Sequence, residues 1–164
     1  MIEEGWTASV IALGTNQGER EQTLFEAVSD LRATEGVVVV AESSVIETVA
    51  LTESGYDDNA PAYLNQVVII NTAWPAEHLL ARLHEIEQRH GRQRDGVQYA
   101  PRTLDLDIID WGGVILDMPG LTLPHPRAHE RTFVLAPWLE VDPEAEIPGR
   151  GSVKDLLAQL EPSA

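Results

Sequence analysis

Apolar residues follow two different periods along this chain, one typical of strands and the other of helices. Short runs rich in Val, Ile and Leu predict strands in the segments ASVIALG, VVVVAESSVIETV, YLNQVVIINTA and RTLDLDIID, which begin at positions 8, 37, 63 and 102. Two other segments repeat their apolar residues every three or four positions, which predicts a helix after the first strand and another after the third. Their core positions are Leu24, Ala27, Val28 and Leu31 in the first helix, and Leu79, Leu80, Leu83 and Ile86 in the second.

The order of these elements is strand, helix, strand, strand, helix, strand, and it predicts the fold class. We expect an α+β fold with a ferredoxin-like βαββαβ core, its helices packed on one face of an antiparallel sheet. A doubly wound α/β fold is disfavoured because the segment 37–73 contains two strands with no helix between them. The pair Gly112 and Gly113 predicts a turn into a short return strand, a C-terminal β-hairpin. Two short helices are expected near 127–138 and 153–160.

Length and composition narrow the class of protein. The 164 residues are enough for one substantial core, and no repeat or long linker interrupts them, which predicts a single domain over 1–164. No apolar run reaches about 18 residues, so no membrane span is expected. The start of the chain, MIEEGWTASV, lacks the features of a secretion signal, and we expect a cytoplasmic protein. The absence of Cys excludes disulfides, thiolate nucleophiles and Cys-based metal sites.

Charge is distributed unevenly along the chain. The formal net charge of −16 at pH 7 argues against nucleic acid or an anionic membrane surface as a partner. The segment 81–131 nevertheless holds seven of the 11 Lys and Arg residues, and all seven are Arg, whose planar guanidinium matches phosphate oxygens. For Arg82 and Arg89 a solvated helix face is the simpler explanation. No Gly-rich phosphate loop is present, so side chains and metal would have to hold a nucleotide.

The segment APRTLDLDI carries the most specific chemistry. On a strand, Leu104, Leu106 and Ile108 point one way while two carboxylates at alternate positions point the other. Asp105 and Asp107 then stand roughly 6–7 Å apart on one face. Such a pair repels itself unless a hard cation such as Mg²⁺ binds between the carboxylates, completing its shell with water and substrate phosphates. A bare pair of this kind is also compatible with an ordinary solvent-facing strand, but the preceding Pro-Arg adds the cationic group that phosphoryl transfer needs.

Five segments in the same order resemble the 6-hydroxymethyl-7,8-dihydropterin pyrophosphokinases of folate biosynthesis. They are IALGTN (11–16), YLNQVV (63–68), IEQRHGRQR (86–94) followed by APRTLDLDI (100–108), and LPHPRAHERTFVLAPWLEV (123–141). The resemblance covers nearly the whole chain. It implies an ATP-dependent diphosphokinase that transfers pyrophosphate from ATP to the pterin hydroxymethyl group and releases AMP.

The resemblance also implies roles for individual residues. The catalytic group would be Arg92, Arg102, Asp105 and Asp107, with the two aspartates binding two Mg²⁺ ions. The ATP-binding group would be Glu87, Arg94, His125 and Arg131. The pterin-binding group would be Thr48, Tyr63, Asn65 and Phe133. The partners implied are these two small molecules, with no nucleic acid and no membrane, and a monomer is expected.

Two other functions remain open from the residues themselves. A non-catalytic ferredoxin-like module that binds a metabolite or a protein would have the same strands and helices, and its aspartates would show no metal-linked behaviour. A nucleotide-sugar transferase with an Asp-x-Asp motif is disfavoured, because 164 residues leave no room for a doubly wound half.

Overall fold

The computed structural model describes residues 5–16, 19–48, 51–52, 55–56, 62–90 and 104–160, with the backbone alone at 51–52 and 55–56. The elements are β1 (Thr7–Thr15), α1 (Arg20–Ala33), β2 (Val37–Glu42), β3 (Ile46–Thr48), β4 (Leu51–Thr52), β5 (Gly55–Tyr56), β6 (Tyr63–Thr72), α2 (Ala76–Arg89), β7 (Asp105–Trp111), β8 (Leu116–Met118), β9 (Leu121–Leu123), a 3-10 helix (Ala128–Glu130), α3 (Thr132–Val141), β10 (Glu146–Ile147), β11 (Gly151–Ser152) and α4 (Val153–Leu160).

The main sheet has the strand order β2-β6-β1-β7, and β3 pairs with the far half of β6. Every neighbouring pair in it is antiparallel. If these four core strands are numbered by their order in the chain, their order across the sheet is 2-3-1-4. Helix α1 follows the first of them and α2 follows the third. This is the ferredoxin-like βαββαβ arrangement, and the predicted α+β fold class is confirmed.

The first face of the sheet is covered by α1 and α2, as the helical spacing predicts. Leu24 and Leu31 of α1 and Leu79 and Leu83 of α2 are almost fully buried. They pack against alternate residues of the strands, among them Ile11, Leu13, Ile70 and Leu106. Side chains on a strand alternate between the two faces of the sheet. This core therefore contains every second residue of each strand, and the residues between them point to the second face.

The second face of the sheet is covered in part by the C-terminal segment. Trp138 of α3 and Val153 of α4 are buried against Val10 and Val67 of the sheet. Along β1 this packing reaches Ala12, and Gly14 beyond it is partly exposed. The helices after β7 therefore form a second layer that stops short of one end of the sheet. No helix among the described residues is long and apolar enough to cross a membrane.

Three elements differ from the prediction. The long strand expected over 37–49 is interrupted at 43–45, between β2 and β3. Gly112 and Gly113 do form a turn, with φ of 63° and 69°, but the strand after it pairs with β9 and not with β7. The helix expected near 127–138 is a 3-10 turn followed by α3, whereas α4 matches its predicted range.

The interruption between β2 and β3 results from side chains that take over sheet hydrogen bonds. The hydroxyl of Ser43 accepts from the backbone N–H of Val67 at 2.9 Å, and the amide of Gln66 donates to the Ser43 carbonyl at 2.9 Å. The N–H and hydroxyl of Ser44 donate to the Glu140 carboxylate of α3 at 2.8 and 2.7 Å. These bonds tie the segment between β2 and β3 to β6 and to the second helical layer.

We expect Glu140→Gln to lower the stability of this junction in a pH-dependent way. The backbone and hydroxyl hydrogen bonds from Ser44 lower the pKa of Glu140 below its ordinary value of 4.5. This contribution is therefore present above pH 4.5 and is lost as the pH falls through the folded-state value. Because the carboxylate is exposed, the expected loss at pH 7 is only about 0.5–1 kcal/mol.

Urea unfolding at pH 7 and at about pH 3.5 checks this expectation. Glu144→Gln, an exposed glutamate on the turn after α3, makes the same change in net charge and should leave the free energy of unfolding unchanged. A Glu140→Gln deficit that is equally large at both pH values would show that the carboxylate charge contributes nothing.

Candidate functional site

The uncovered end of the second face carries one row of directly opposed residues. Asn65 of β6 is paired with Gly14 of β1, and Gly14 is paired with Asp105 of β7. Strands in a sheet lie about 4.8 Å apart, so Asn65 and Asp105 are separated by about 10 Å with a glycine between them. Among the described residues the second helical layer does not reach this strip of backbone, which has an amide at one end and a carboxylate at the other.

The two aspartates of β7 lie on the same side of that strand. Leu104, Leu106 and Ile108 are buried against α1 and α2, which confirms the predicted alternation. Asp105 and Asp107 occupy the alternate positions, are only partly buried, and are paired with Gly14 and Ala12 of β1. The acidic pair therefore lies on the open face, at the border of the second helical layer.

Glu87 contacts β7 at the outer edge of the sheet. The residue is 4% exposed, and its Oε2 accepts a hydrogen bond of 2.8 Å from the backbone N–H of Leu106. Because β7 is an edge strand of the sheet, this carboxylate bonds an amide that no sheet neighbour occupies. Glu87 thus contacts the residue between the two aspartates. Its predicted role as an ATP ligand stays a prediction.

His125 joins the acidic pair from the segment after β9. Its backbone N–H donates to the carbonyl of Ile109 on β7 at 2.9 Å, and its Nδ1 accepts from the N–H of Arg127 at 3.2 Å. Burial lowers the pKa of His125 below 6.5; the charge of Asp107 opposes this, while Arg131 and Arg127 lower it further. The imidazole is therefore neutral at pH 7, and with Nδ1 accepting, its proton lies on Nε2.

Arg131 and Phe133 meet at the start of α3. The guanidinium carbon of Arg131 lies 5.6 Å from the centroid of the Phe133 ring, a cation–π distance. Phe133 is half-buried and packs against the second core. This contact places Arg131, which is predicted to bind ATP, beside Phe133, which is predicted to bind the pterin.

Three of the four residues predicted for the pterin lie together at the other end of the row. Asn65 is 6% exposed, and its Nδ2 donates to the hydroxyl of Thr48 at 2.9 Å. Thr48 on β3 is in turn paired with Tyr63 on β6. The Oδ1 atom of Asn65 is directed at Gly14, since it lies 3.4 Å from the position that a Cβ would take there. One donor of the amide is thus occupied, and its acceptor faces the open strip.

The other predicted residues lie outside the described part of the chain. They are Arg92, Arg94 and Arg102, together with most of the two polar loops that precede β6 and β7. The residue that the sequence reasoning missed is Gly14. Its signal was the glycine that ends the predicted strand ASVIALG, since a glycine in a strand often marks a close approach by a ligand or another backbone.

The chemistry of the described side chains fits a magnesium ion bound with its substrate. Within residues 5–16, 19–48, 62–90 and 104–160, no group of three or more His, Asp or Glu side chains could enclose a metal by itself. Two carboxylates on one open face are what Mg²⁺ uses when it keeps waters and takes further oxygens from phosphates. Asp105 and Asp107 are the residues that would hold it.

The fold and this site define an α+β protein of ferredoxin-like topology with an acidic cleft on the half-covered face of its sheet. Comparison with protein families is consistent with that class: the model of the 7,8-dihydro-6-hydroxymethylpterin-pyrophosphokinase (HPPK) family matches residues 10–143. The matched range contains the strands β2, β3, β6 and β7, both core helices and α3. The chain belongs to this family.

Similar proteins include several named 2-amino-4-hydroxy-6-hydroxymethyldihydropteridine pyrophosphokinase. The protein from Bacillus subtilis is 41% identical over 136 residues, which cover 83% of this chain and 78% of the relative. The protein from Mycobacterium leprae is 40% identical over 171 residues, covering 96% of this chain and 85% of the relative. The protein from Methylorubrum extorquens is 35% identical over 157 residues and covers 96% of both chains.

Solved structures agree in fold. The crystal structure of Plasmodium falciparum HPPK-DHPS superposes with a TM-score of 0.71 at 13% identity and covers 94% of this chain. This chain spans 45% of that longer protein. At such low identity the likeness concerns the fold alone.

Proposed function

We propose that the open face described above is where this member of the family holds both of its substrates. The chain transfers pyrophosphate from ATP to 6-hydroxymethyl-7,8-dihydropterin in folate biosynthesis, and the products are the pterin diphosphate and AMP. It is an ATP-dependent pyrophosphokinase. The assignments of individual residues that follow are our proposal.

The observation that carries the proposal is the row Asn65, Gly14, Asp105. The family's two substrates must meet with the pterin hydroxyl close to the β-phosphorus of ATP. The row has an amide acceptor at one end, suited to ring N–H groups, and carboxylates at the other, suited to a metal-bound polyphosphate. We assign the pterin to the Asn65 end and the triphosphate to the aspartate end.

At the pterin end, the hydrogen bond between Asn65 and Thr48 fixes the amide in one orientation. A buried amide held in this way presents its Oδ1 to the ligand without first losing side-chain freedom. Phe133 would pack against a ring face, as flat heteroaromatic ligands favour, and Arg131 on its other side fixes its position. Tyr63 would border the same pocket from β6.

At the phosphate end, Asp105 and Asp107 would hold two Mg²⁺ ions. When bound, these ions would supply positive charge that offsets the negative charge of the triphosphate. Without a cation, two partly buried carboxylates on adjacent same-face positions repel each other. A metal-bound nucleotide would therefore relieve this repulsion.

His125 and Arg131 would contact the nucleotide from the edge of this site. A neutral imidazole with its proton on Nε2 is a hydrogen-bond donor that adds no charge beside Asp107. The permanent cation of Arg131 would pair with phosphate oxygens. For Arg92, Arg94 and Arg102 the proposal rests on the sequence alone, as it does for a monomer, a cytoplasmic location and a single domain.

Calorimetry tests the proposal. We expect a non-hydrolysable ATP analogue to bind with Mg²⁺ and to lose at least about tenfold in affinity when EDTA removes the metal, because the carboxylates then repel the phosphates. Pterin added to the complex with nucleotide should bind, and Asn65→Ala should weaken that step alone. Nucleotide binding that is indifferent to Mg²⁺ would contradict the assignment of the aspartates and would favour a non-catalytic site.

A further inference from the structure

Gly14 sits at a position where glycine is unfavourable for the fold. It is the penultimate residue of β1, a central strand of the sheet, and is paired with β6 on one side and with β7 on the other. Glycine in a strand interior loses more backbone entropy on folding than other residues and contributes no side-chain packing. A residue with a Cβ would be expected here unless something excludes it.

The backbone does not exclude a side chain at this position. Glycine is required where φ is positive, as at Gly36 with φ of 81° and Gly120 with φ of 82°. Gly14 is not among the glycines with positive φ, and it keeps the regular register of β1 with both neighbouring strands. Any residue can adopt the extended conformation of a strand.

Crowding within the described part of the protein does not exclude a side chain either. A Cβ at Gly14 would have its nearest neighbours at 3.4 Å, the Oδ1 of Asn65, and at 3.9 Å, the carbonyl oxygen of Leu64. Both are ordinary van der Waals distances. At Gly36, by contrast, the same atom would lie 2.7 Å from the indole nitrogen of Trp74. Space for a methyl group is present above Gly14.

We propose that Gly14 determines specificity for the pterin: the missing side chain leaves the space in which the flat ring lies against the backbone of β1. The strip above Gly14 is the part of the sheet that the second helical layer leaves uncovered, and it separates Asn65 from Asp105. A Cβ there would stand between the amide that receives the ring and the carboxylates that receive the phosphates. This inference rests on the proposed function of the two ends of the row.

The test uses Gly14→Ala and Gly14→Val in the full chain. We expect the melting temperature of Gly14→Ala to stay the same or rise, because alanine restricts the unfolded chain. The KM for the pterin should rise by about 10-fold in Gly14→Ala and by about 100-fold in Gly14→Val, the range that one misplaced methyl or methylene group costs in a shaped pocket. Calorimetric affinity for the Mg²⁺-bound ATP analogue should change less than about threefold.

Ala8→Val is the matched control. Ala8 lies on the same strand and the same face, six residues earlier and far from the row, and is paired with Asn71. This variant should leave the KM values for both substrates unchanged.

The outcomes separate the inference from the proposed function. Normal pterin affinity in Gly14→Val overturns the inference while leaving the proposed function intact. A lower melting temperature with equal losses for pterin and nucleotide also overturns it, because glycine would then serve the fold. A wild-type protein that shows no pterin-dependent turnover refutes the function itself.

Discussion

Asp107→Asn is expected to reduce turnover by on the order of 10³-fold at saturating ATP and Mg²⁺, because the variant removes a charged ligand for the metal-bound phosphates. Asp107 lies on the open face, opposite Ala12, and its charge acts on His125. Asparagine keeps the size of the side chain, so the metal-free variant should fold as the wild type does.

The decisive measurement for this variant is thermal unfolding with and without Mg²⁺ and the ATP analogue, alongside steady-state turnover. Ligand that binds only the folded state raises the melting temperature of the wild type. That rise should be nearly absent in Asp107→Asn and fully present in Asp117→Asn, whose aspartate lies exposed on the hairpin of β8 and β9. Near-normal turnover of Asp107→Asn would show that the acidic pair is an ordinary strand surface.

Glu87→Ala is expected to damage both stability and nucleotide binding, since Glu87 contacts the strand between the two aspartates. Removing its carboxylate leaves the buried N–H of Leu106 without the acceptor at 2.8 Å, at a cost of about 1–3 kcal/mol. The loosened strand should bind the Mg²⁺-bound nucleotide about 10–100-fold more weakly, as is typical when a group that supports metal ligands is removed.

Glu87→Gln distinguishes support of the strand from direct contact with ATP. The glutamine side chain keeps an acceptor oxygen for the Leu106 amide but has no charge. If Glu87 acts on the strand, this variant should recover most of the unfolding free energy and most of the nucleotide affinity, as measured by urea unfolding and calorimetry. Full stability with weak nucleotide binding would instead support the predicted ATP contact. Glu85→Gln, two residues earlier on the exposed side of α2, makes the same change in charge and loses only an exposed ion pair with Arg82.

Much of the fold could be predicted because its signals are local. Helix α1 buries Leu24 and Leu31, and α2 buries Leu79 and Leu83, at the spacing that one helical face requires. The alternation in β7 likewise predicts that the aspartates face away from Leu106. These inferences hold because the helical and strand periods are properties of the backbone and do not depend on distant contacts.

Other features depended on partners distant in sequence. The interruption after β2 requires the side chain of Ser43 to meet Val67, and Ser44 to meet Glu140, which is 96 residues away. The β8 strand pairs with β9 because the chain leaves the sheet edge after Gly113. Neither feature can be predicted from the spacing of apolar residues within one segment.

The amino-acid sequence by itself determined the α+β class, the two core helices, the acidic pair and its family. The tertiary structure decided that α3 and α4 cover only part of the second face, that Glu87 bonds the strand from behind, and that Gly14 opens a strip between Asn65 and Asp105. The physical reason is one of range. The spacing of apolar residues and the charge of a segment can be read from neighbouring residues in the sequence. Strand register and the extent of a covering layer depend on segments far apart in the chain, which compete for the same apolar surface and backbone hydrogen bonds.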